Sequence, residues 1–155
     1  ARERRGDVSE NKESTKRTVM VQETDEDLRR ERKAIETFVN TFGGSYQKLD
    51  RFDIDYRVFD SSGVPIAYVE VKGRIRAMRS AYPLPISAKK LVKLIEKRLN
   101  PVVIWSCDDG IIYGKVGDLV GEARIGGRSD RGNLHDNELM VYFEKQKALK
   151  YVRFI

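Results

Sequence analysis

Two strand-like runs on either side of Ser61-Ser62-Gly63 constrain the fold of this chain more than any other feature. They occupy residues 52–74, and the Ser-Ser-Gly segment between them has the composition of a tight turn. A turn centred between Ser62 and Gly63 predicts an antiparallel hairpin in which the numbers of facing residues sum to 125. Because side chains alternate across a strand, one face of the hairpin is predicted to be apolar and the other charged. The predicted apolar face carries Ile54, Tyr56, Val58, Ala67, Val69 and Val71.

The charged face of this hairpin gathers carboxylates and an ammonium. Asp55 would lie opposite Glu70, and Asp53 opposite Lys72. Like charges on facing strand positions destabilise a sheet, and a divalent cation would remove that repulsion. Mg²⁺ accepts carboxylate, phosphate and water oxygens, and a lysine beside it would orient the attacking water. The pattern therefore favours phosphodiester hydrolysis, and a hairpin with a solvated polar face remains the alternative.

The order Asp55, fourteen further residues and then Glu70-Val71-Lys72 resembles the motif of the PD-(D/E)XK nuclease superfamily. The resemblance implies an α/β fold with a restriction-endonuclease-like core, in which helices flank a mixed central sheet. It also implies that Asp55, Glu70 and the backbone carbonyl of Val71 bind Mg²⁺, with Mn²⁺ as a substitute. Lys72 would be the catalytic lysine. The chain departs from the motif in having no proline before the first aspartate, and the aspartate two residues earlier is a rival for that position.

A predicted amphipathic helix upstream carries a second point of resemblance. Residues 31–44 are similar to the first helix of the small Holliday-junction resolvases of this superfamily, in which an early glutamate reaches the metal site. The matching residue is Glu31, and Glu36 is the alternative. Glu31 falls on the apolar stripe of the helix, where a carboxylate is costly unless it is paired or bound to a metal. An edge position near solvent is the other interpretation of Glu31. The stripe consists of Leu28, Ile35, Phe38, Val39 and Phe42.

The charge balance favours a polyanionic partner. The chain has 155 residues and a net charge of +6, with a pI of about 9.4, and we expect the partner to be DNA. Candidate phosphate contacts are spread over a loop, the start of a helix and a glycine-rich segment. They are Arg74, Arg76, Arg79, Lys89, Lys90, Arg124, Arg128 and Arg131.

Cysteine content and hydropathy bear on location. The one cysteine, Cys107, excludes an intrachain disulfide and a CxxC metal site, and it is predicted to pack at the end of a strand. No apolar run is long enough to cross a membrane, so we expect no membrane partner and a cytoplasmic location. The stretch Gly126-Gly127-Arg128 with Asp136 and Glu138 is similar to small phage-encoded nucleases, which implies the cytoplasm of the host.

The pattern divides the chain into a charged N-terminal segment, residues 1–24, and one nuclease domain, residues 25–155. The segment is predicted to be a tail or an arm that docks on a subunit. Thr24 and Ser87 are predicted helix caps, and the buried run Pro101–Ser106 after the second helix indicates a parallel crossover in a mixed sheet. Long loops are predicted over residues 74–86 and 117–137, and further strands over 46–49, 111–113, 139–143 and 150–155.

The leading hypothesis is a metal-dependent DNA endonuclease that acts on branched or junction DNA, a role for which a homodimer would present two metal sites. One alternative is a DNA-binding module with a nuclease-like fold that does not cut. Two others are an exonuclease and a nuclease directed at RNA.

Overall fold

The computed structural model describes residues 24–50, 53–127 and 137–155. Residues 1–23 of the charged segment, and the candidates Arg128 and Arg131, lie outside these residues. The helices are α1 (Asp25–Asn40) and α2 (Ala88–Glu96), and a short 3₁₀ turn spans Met78–Ser80. The strands are β1 (Ser45–Lys48), β2 (Tyr56–Phe59), β3 (Pro65–Gly73), β4 (Leu84–Ser87), β5 (Pro101–Ser106), β6 (Gly110–Lys115), β7 (Glu122–Gly127), β8 (Asn137–Phe143) and β9 (Lys150–Arg153). Neither of these two helices is long and apolar enough to cross a membrane.

Six strands form the central sheet in the order β1-β2-β3-β5-β6-β9. The strands β3 and β5 are parallel and are joined through α2, whereas the other neighbours are antiparallel. The predicted crossover and the mixed sheet of an α/β fold are therefore confirmed. A second sheet, in the order β4-β8-β7, packs against the central one through Trp105, whose indole N–H donates to the carbonyl oxygen of Pro85 at 2.8 Å.

The β2–β3 hairpin has the predicted register. Tyr56 faces Val69 and Val58 faces Ala67, so the paired numbers sum to 125, and the ladder shifts only at Phe59 next to the turn. The turn is held by the Asp60 carboxylate, which accepts the backbone N–H groups of Ser62 and Val64, each at 2.9 Å. Local turn chemistry thus fixes which residues of the two strands meet.

Helix α1 begins at the predicted cap and covers one face of the sheet. The Thr24 hydroxyl accepts from the Asp27 N–H, and the Asp27 carboxylate accepts from the Thr24 N–H, which is a complete capping box. The helix ends before Gly43, whose φ of +72° lies in the left-handed region that glycine tolerates. Its buried side chains pack with strands β2, β3, β5 and β6 in one core cluster: Ala34, Ile35, Phe38, Val39, Tyr56, Val58, Ala67, Val69, Val71, Val102, Ile104 and Ile111.

Helix α2 covers the other face with a narrower apolar stripe. Ser87 caps it as predicted, since its hydroxyl accepts the Lys90 N–H at 3.1 Å. Leu91 and Leu94 are buried against Trp105 and the second sheet, whereas two other apolar residues of the helix, Val92 and Ile95, are about half exposed. The helix ends at Glu96. Arg98 and Asn100 have positive φ angles, which a continuing helix does not allow.

Three local predictions were wrong. Ile54 packs in the α2-side cluster with Trp105, not on the face of Tyr56, because residues 53–55 precede β2 and do not follow its alternation. The predicted loops over 74–86 and 117–137 contain β4 and β7. Both strands pair with the distant β8, so their partner is not recognisable from the local pattern.

Candidate active site

Asp55 and Glu70 meet where the β2–β3 ladder begins. Asp55 directly precedes β2, and the register places it beside Glu70. The Asp55 Oδ2 accepts the backbone N–H of Val71 at 2.8 Å, at a position where β2 no longer supplies a ladder partner. The side chain of Asp55 is therefore held against the strand that carries Glu70.

Glu70 is a buried carboxylate with one oxygen that lacks a partner. Its side chain faces α2, since its neighbours Val69 and Val71 pack on the α1 side. The Oε2 lies 3.4 Å from the Lys90 Nζ at the start of α2, while Oε1 is buried and has no hydrogen-bond partner among the described residues. Burial and then the nearby Asp55 charge raise the pKa of Glu70 to about 7, and Lys90 acts in the opposite direction. An orphaned carboxylate oxygen of this kind needs a cation or a proton.

The pKa of Asp55 is also raised. Burial is the main cause and the charge of Glu31 is the second, while the Val71 N–H, Lys48 and Lys90 oppose the shift. Lys90 thus acts on both Asp55 and Glu70, which indicates that the two carboxylates occupy one electrostatic environment.

Glu31 lies on the α1 side of Asp55, and its negative charge is compensated by Lys48. It is 7% exposed, so the prediction that it points inward is confirmed. Its Oε1 accepts from the Lys48 Nζ at 2.6 Å and from the Tyr56 hydroxyl at 2.8 Å. The same Lys48 Nζ lies 3.6 Å from the Asp55 Oδ1. Lys48 therefore bridges the helix carboxylate and the hairpin carboxylate.

Lys72 stands on the same face of β3 as Glu70, two residues further along. Its register partner in β5 is Trp105, which belongs to the α2-side core. The Lys72 side chain is exposed and forms no ion pair with the described part of the chain. Its ammonium is therefore available to a substrate or to a water molecule at the mouth of the site.

The rival candidates Asp53 and Glu36 form their contacts away from the Asp55–Glu70 pair. The Asp53 Oδ1 lies 2.7 Å from the Lys97 Nζ, just past the end of α2, and this contact lowers the pKa of Asp53. The Glu36 Oε2 accepts the Tyr46 hydroxyl at 2.8 Å on the exposed side of α1. Asp55 and Glu31 are thus the better placed member of each pair of rivals.

The predicted DNA-binding residues differ in their surroundings. Arg74 is partly buried and donates to the carbonyl oxygens of Ala81 and Pro83, so it braces the segment between β3 and β4, and burial lowers its pKa. Arg124 in the second sheet lies over the Tyr142 ring at 4.2 Å. The side chains of Arg76, Arg79 and Lys89 are exposed, whereas Lys90 is held at Glu70. Contact of these residues with DNA stays a prediction.

Sequence reasoning missed two residues of the site, Lys48 and Tyr56. The strand pattern predicts only a core position for Tyr56, but its hydroxyl donates to the carboxylate of Glu31. Lys48 faces Tyr56 across the β1–β2 pair, so its side chain points towards α1. The sequence signal for both would have been the β1–β2 register, which depends on a connection with no recognisable turn motif.

The donor set fits a hard divalent cation. The described residues contain no group of three His, Cys, Asp or Glu side chains that converges on one point. Mg²⁺ commonly uses one or two carboxylates and completes its shell with water and phosphate. In a β-strand the N–H and C=O groups of one residue point to the same side of the strand. The Val71 N–H donates to Asp55, so the Val71 carbonyl also points to the side on which Asp55 lies. Asp55, Glu70 and this carbonyl would supply oxygen ligands only.

The burial of Cys107 agrees with its predicted role in packing. It is 5% exposed at the end of β5, and burial followed by the charge of Asp109 raises the pKa of its thiol to about 11. A thiol in this state is a poor nucleophile and a poor metal ligand.

A family model described as "Phage putative PDDEXK endonuclease" matches residues 16–150 of the chain. No curated protein and no solved structure matches the chain significantly.

Proposed function

Because this chain belongs to the phage PDDEXK endonuclease family, we propose that it hydrolyses DNA phosphodiester bonds with a divalent cation held by Asp55 and Glu70. The observation that carries the proposal is the pair of carboxylates at the start of the β2–β3 ladder, the partly buried Asp55 and the buried Glu70, whose Oε1 has no partner among the described residues. Two such groups repel each other and each loses hydration, so the metal-free arrangement is unfavourable. A cation between them would reverse both effects.

We propose Mg²⁺ as the physiological metal, with Mn²⁺ able to replace it, because the donor set consists of oxygens. When bound, such an ion would neutralise the scissile phosphate and make a bound water more acidic. The backbone carbonyl of Val71 is the proposed third protein ligand. Lys72 donates hydrogen bonds to the attacking water and holds it near the phosphate. Lys90, at the start of α2, keeps the Glu70 carboxylate oriented and adds positive charge where the phosphate backbone would pass.

Glu31 is proposed to position other groups and not to bind the metal directly. Its Oε1 already accepts two hydrogen bonds, from Lys48 and Tyr56, and Lys48 in turn contacts Asp55. The chain of contacts orients the Asp55 carboxylate and places a fixed cation next to it. Glu31 thus acts on the reaction through Lys48.

Lys48→Met tests this positioning role. The substitution leaves the Glu31 carboxylate buried with Tyr56 as its remaining donor in the described structure, and the free energy of unfolding in EDTA should fall by about 1–3 kcal/mol. Cleavage should also fall, because Asp55 loses its lateral contact. Urea unfolding monitored by circular dichroism measures the stability effect. Lys147→Met removes an exposed lysine and serves as the control, and equal unfolding free energies for the two variants would contradict the role given to Lys48.

Glu31→Gln and Glu36→Gln form a matched pair on one helix. Glutamine at position 31 cannot form the 2.6 Å ion pair with Lys48, so the rate of cleavage should fall on the order of 10- to 100-fold, as for other residues that orient metal ligands. Glutamine at position 36 should leave the rate within about twofold of the wild type, since exposed substitutions outside a site are nearly neutral. Single-turnover cleavage of labelled DNA gives both values. The reverse ranking would restore Glu36 as the functional glutamate.

The activity itself is tested by a panel of labelled linear duplex, single-stranded, nicked, flap and four-way-junction DNA with Mg²⁺ or EDTA. The proposal predicts internal cuts that need the metal. Products that shorten only from an end would identify an exonuclease, and faster cutting of matched RNA would identify an RNA-directed nuclease. DNA binding without any product would favour the non-cleaving module.

The preference for branched or junction DNA and the homodimer rest on the resemblance of α1 to the resolvase helix and stay predictions. The proposed place of action is the cytoplasm of a phage host, which agrees with one buried, unpaired Cys107.

A further inference from the structure

A cavity lies on the α2-side face of the central sheet, and neither Asp55 nor Glu70 lines it. It has a volume of about 590 Å³ and opens between the 3₁₀ turn at Met78–Ser80, the β5–β6 turn and strand β9. Volumes of about 300–1,000 Å³ are typical of sites that bind small organic groups. The side chains that matter for its chemistry are Arg79, Tyr82, Asp109, Lys145, Tyr151 and Arg153. None of these was assigned to the cleavage reaction.

The cavity is linked to the cleavage site through Arg74, which directly follows β3. Arg74 follows Lys72 by two residues, roughly 7 Å along an extended chain. Arg74 donates to the carbonyl oxygens of Ala81 and Pro83, next to the cavity residue Tyr82. On the opposite wall, Tyr151 pairs with Ile112, whose side chain belongs to the α2-side core. Glu70, Lys72 and the cavity therefore open on the same side of the sheet.

Two tyrosine rings give the cavity an aromatic wall. The hydroxyls of Tyr82 and Tyr151 are hydrogen-bonded to each other, which holds the two side chains together. Tyr151 is 42% exposed, so part of its ring is accessible to a ligand. Burial, followed by the bond to Tyr151, raises the pKa of Tyr82, so this phenol stays neutral. A neutral, rigid aromatic wall of this kind is suited to stacking against a planar base.

Cations outnumber anions around these rings. Arg79, Lys145 and Arg153 line the cavity together with one carboxylate, Asp109. The Asp109 Oδ1 accepts the Met78 N–H at 2.9 Å, and its Oδ2 lies 3.5 Å from the Arg153 guanidinium. Both oxygens of Asp109 therefore contact other residues of the cavity wall. Arg79 and Lys145 are exposed and can bind an anion in the cavity. Aromatic rings beside phosphate-binding cations are the combination that binds single-stranded nucleic acid.

The wall geometry depends on Gly110. A Cβ at this position would lie 2.3 Å from the Val152 carbonyl oxygen and 2.9 Å from the Arg153 Cα. The absence of a side chain allows β9 to approach the β5–β6 turn closely, which places Arg153 beside Asp109. The cavity is therefore a consequence of backbone packing and not only of surface side chains.

We propose that this cavity binds an unpaired stretch of the DNA strand that is cut at Asp55 and Glu70. In a duplex the faces of the bases are covered by their stacked neighbours, so a protein ring reaches a base face only where the base is unpaired. The preferred substrates are therefore flaps, gaps and junctions and not fully paired duplex. This inference names the substrate class of the proposed nuclease and rests on that function.

The test is a binding assay with the full chain in EDTA. One ligand is a duplex with a short unpaired flap that contains 2-aminopurine, and the other is the same duplex fully paired. Wild-type protein should bind the flap more tightly and change its fluorescence through stacking. Tyr151→Ala should weaken flap binding about 5- to 100-fold, equivalent to one stacked base, and leave duplex binding within about twofold. Tyr151→Phe keeps the stacking ring and loses only the bond to Tyr82, so its flap binding should lie closer to that of the wild type than to that of Tyr151→Ala.

The contribution of the cavity cations to flap binding is tested by two matched lysine variants. Lys145→Ala should reduce the slope of log affinity against log salt for the flap by about 0.7, the value for one phosphate contact to a single strand. Lys147→Ala removes an exposed lysine of the same loop that does not line the cavity, and it should leave the slope unchanged.

Three results would overturn the inference. Tyr151→Ala could weaken flap and duplex binding equally, or it could weaken neither. The third is tight binding of deoxyadenosine monophosphate combined with flap binding that does not depend on Tyr151. The assay needs neither metal nor cleavage. If the protein cuts DNA but its flap binding does not depend on Tyr151, only the proposed role of the cavity is refuted. If flap binding depends on Tyr151 but no DNA is cut, only the proposed nuclease function is refuted.

Discussion

Glu70→Gln is expected to abolish metal-dependent cleavage while making the metal-free protein more stable at alkaline pH. Glutamine keeps the shape of the side chain but removes the negative charge that would bind the cation. The cleavage rate should fall at least on the order of 10³-fold, since the reaction loses a metal ligand as well as electrostatic stabilisation of its transition state.

The stability effect has a defined pH window. The folded-state pKa of Glu70 is about 7, above the ordinary glutamate value of 4.5, because the carboxylate is buried beside Asp55. Between these values the folded protein binds more protons than the unfolded chain, so stability falls as the pH rises through this range. Glutamine cannot ionise, so the Glu70→Gln variant does not lose this stability as the pH rises. The variant should therefore be more stable than wild type at pH 8, on the order of 1–3 kcal/mol, with a smaller difference at pH 5.

The measurement is urea unfolding in EDTA at pH 5 and pH 8, with Glu36→Gln as the control. Glu36 is an exposed glutamate whose replacement should change neither cleavage nor the pH dependence of stability. Addition of Mn²⁺ should stabilise the wild type and Glu36→Gln but not Glu70→Gln, because a ligand stabilises only the state that binds it. A Glu70→Gln variant that cut DNA within tenfold of the wild-type rate, or that was less stable than wild type at pH 8, would refute the assignment.

Lys72→Met is expected to separate metal binding from catalysis. The exposed Lys72 ammonium forms no ion pair with the described residues, so its loss should change the free energy of unfolding by less than about 0.5 kcal/mol. The metal ligands remain, and Mn²⁺ affinity measured by calorimetry should stay within about threefold of wild type. Cleavage should nevertheless fall about 10²- to 10⁴-fold, the usual contribution of a residue that handles protons or orients the nucleophile.

Lys115→Met is the matched control for Lys72→Met, since it removes an exposed lysine at the end of β6. Its single-turnover cleavage rate should equal that of the wild type. If Lys72→Met retained full activity, Lys90 would become the better candidate for the catalytic lysine, because its ammonium lies 3.4 Å from the Glu70 carboxylate.

The parts of the fold that sequence predicts well are those specified by local chemistry. The β2–β3 register follows from the turn that Asp60 closes, and so the proximity of Asp55 and Glu70 was predictable from the chain alone. The burial of Glu31 follows from helical periodicity in the same way. In both cases the determining residues lie within a few positions of one another.

The parts that sequence did not predict depend on contacts between distant segments. Lys48 reaches Glu31 only because β1 pairs with β2, and β4 and β7 exist only because both pair with β8. Ile54 crosses to the α2 side because the chain bends before β2 begins. The cavity combines β9 with two turns from the middle of the chain. Short polar or glycine-containing strands of this kind lack a strong local signal, and tertiary pairing decides their conformation.

The central claim is that Asp55 and Glu70 together bind one divalent cation beside Lys72. Anomalous diffraction from crystals of the full chain soaked in Mn²⁺ tests it most directly. The claim predicts a single strong peak enclosed by the Asp55 and Glu70 carboxylates, on the side of β3 that carries Lys72, and no peak there in Glu70→Gln crystals. A wild-type map with no peak between these two carboxylates, or with its main peak at another set of residues, would contradict it.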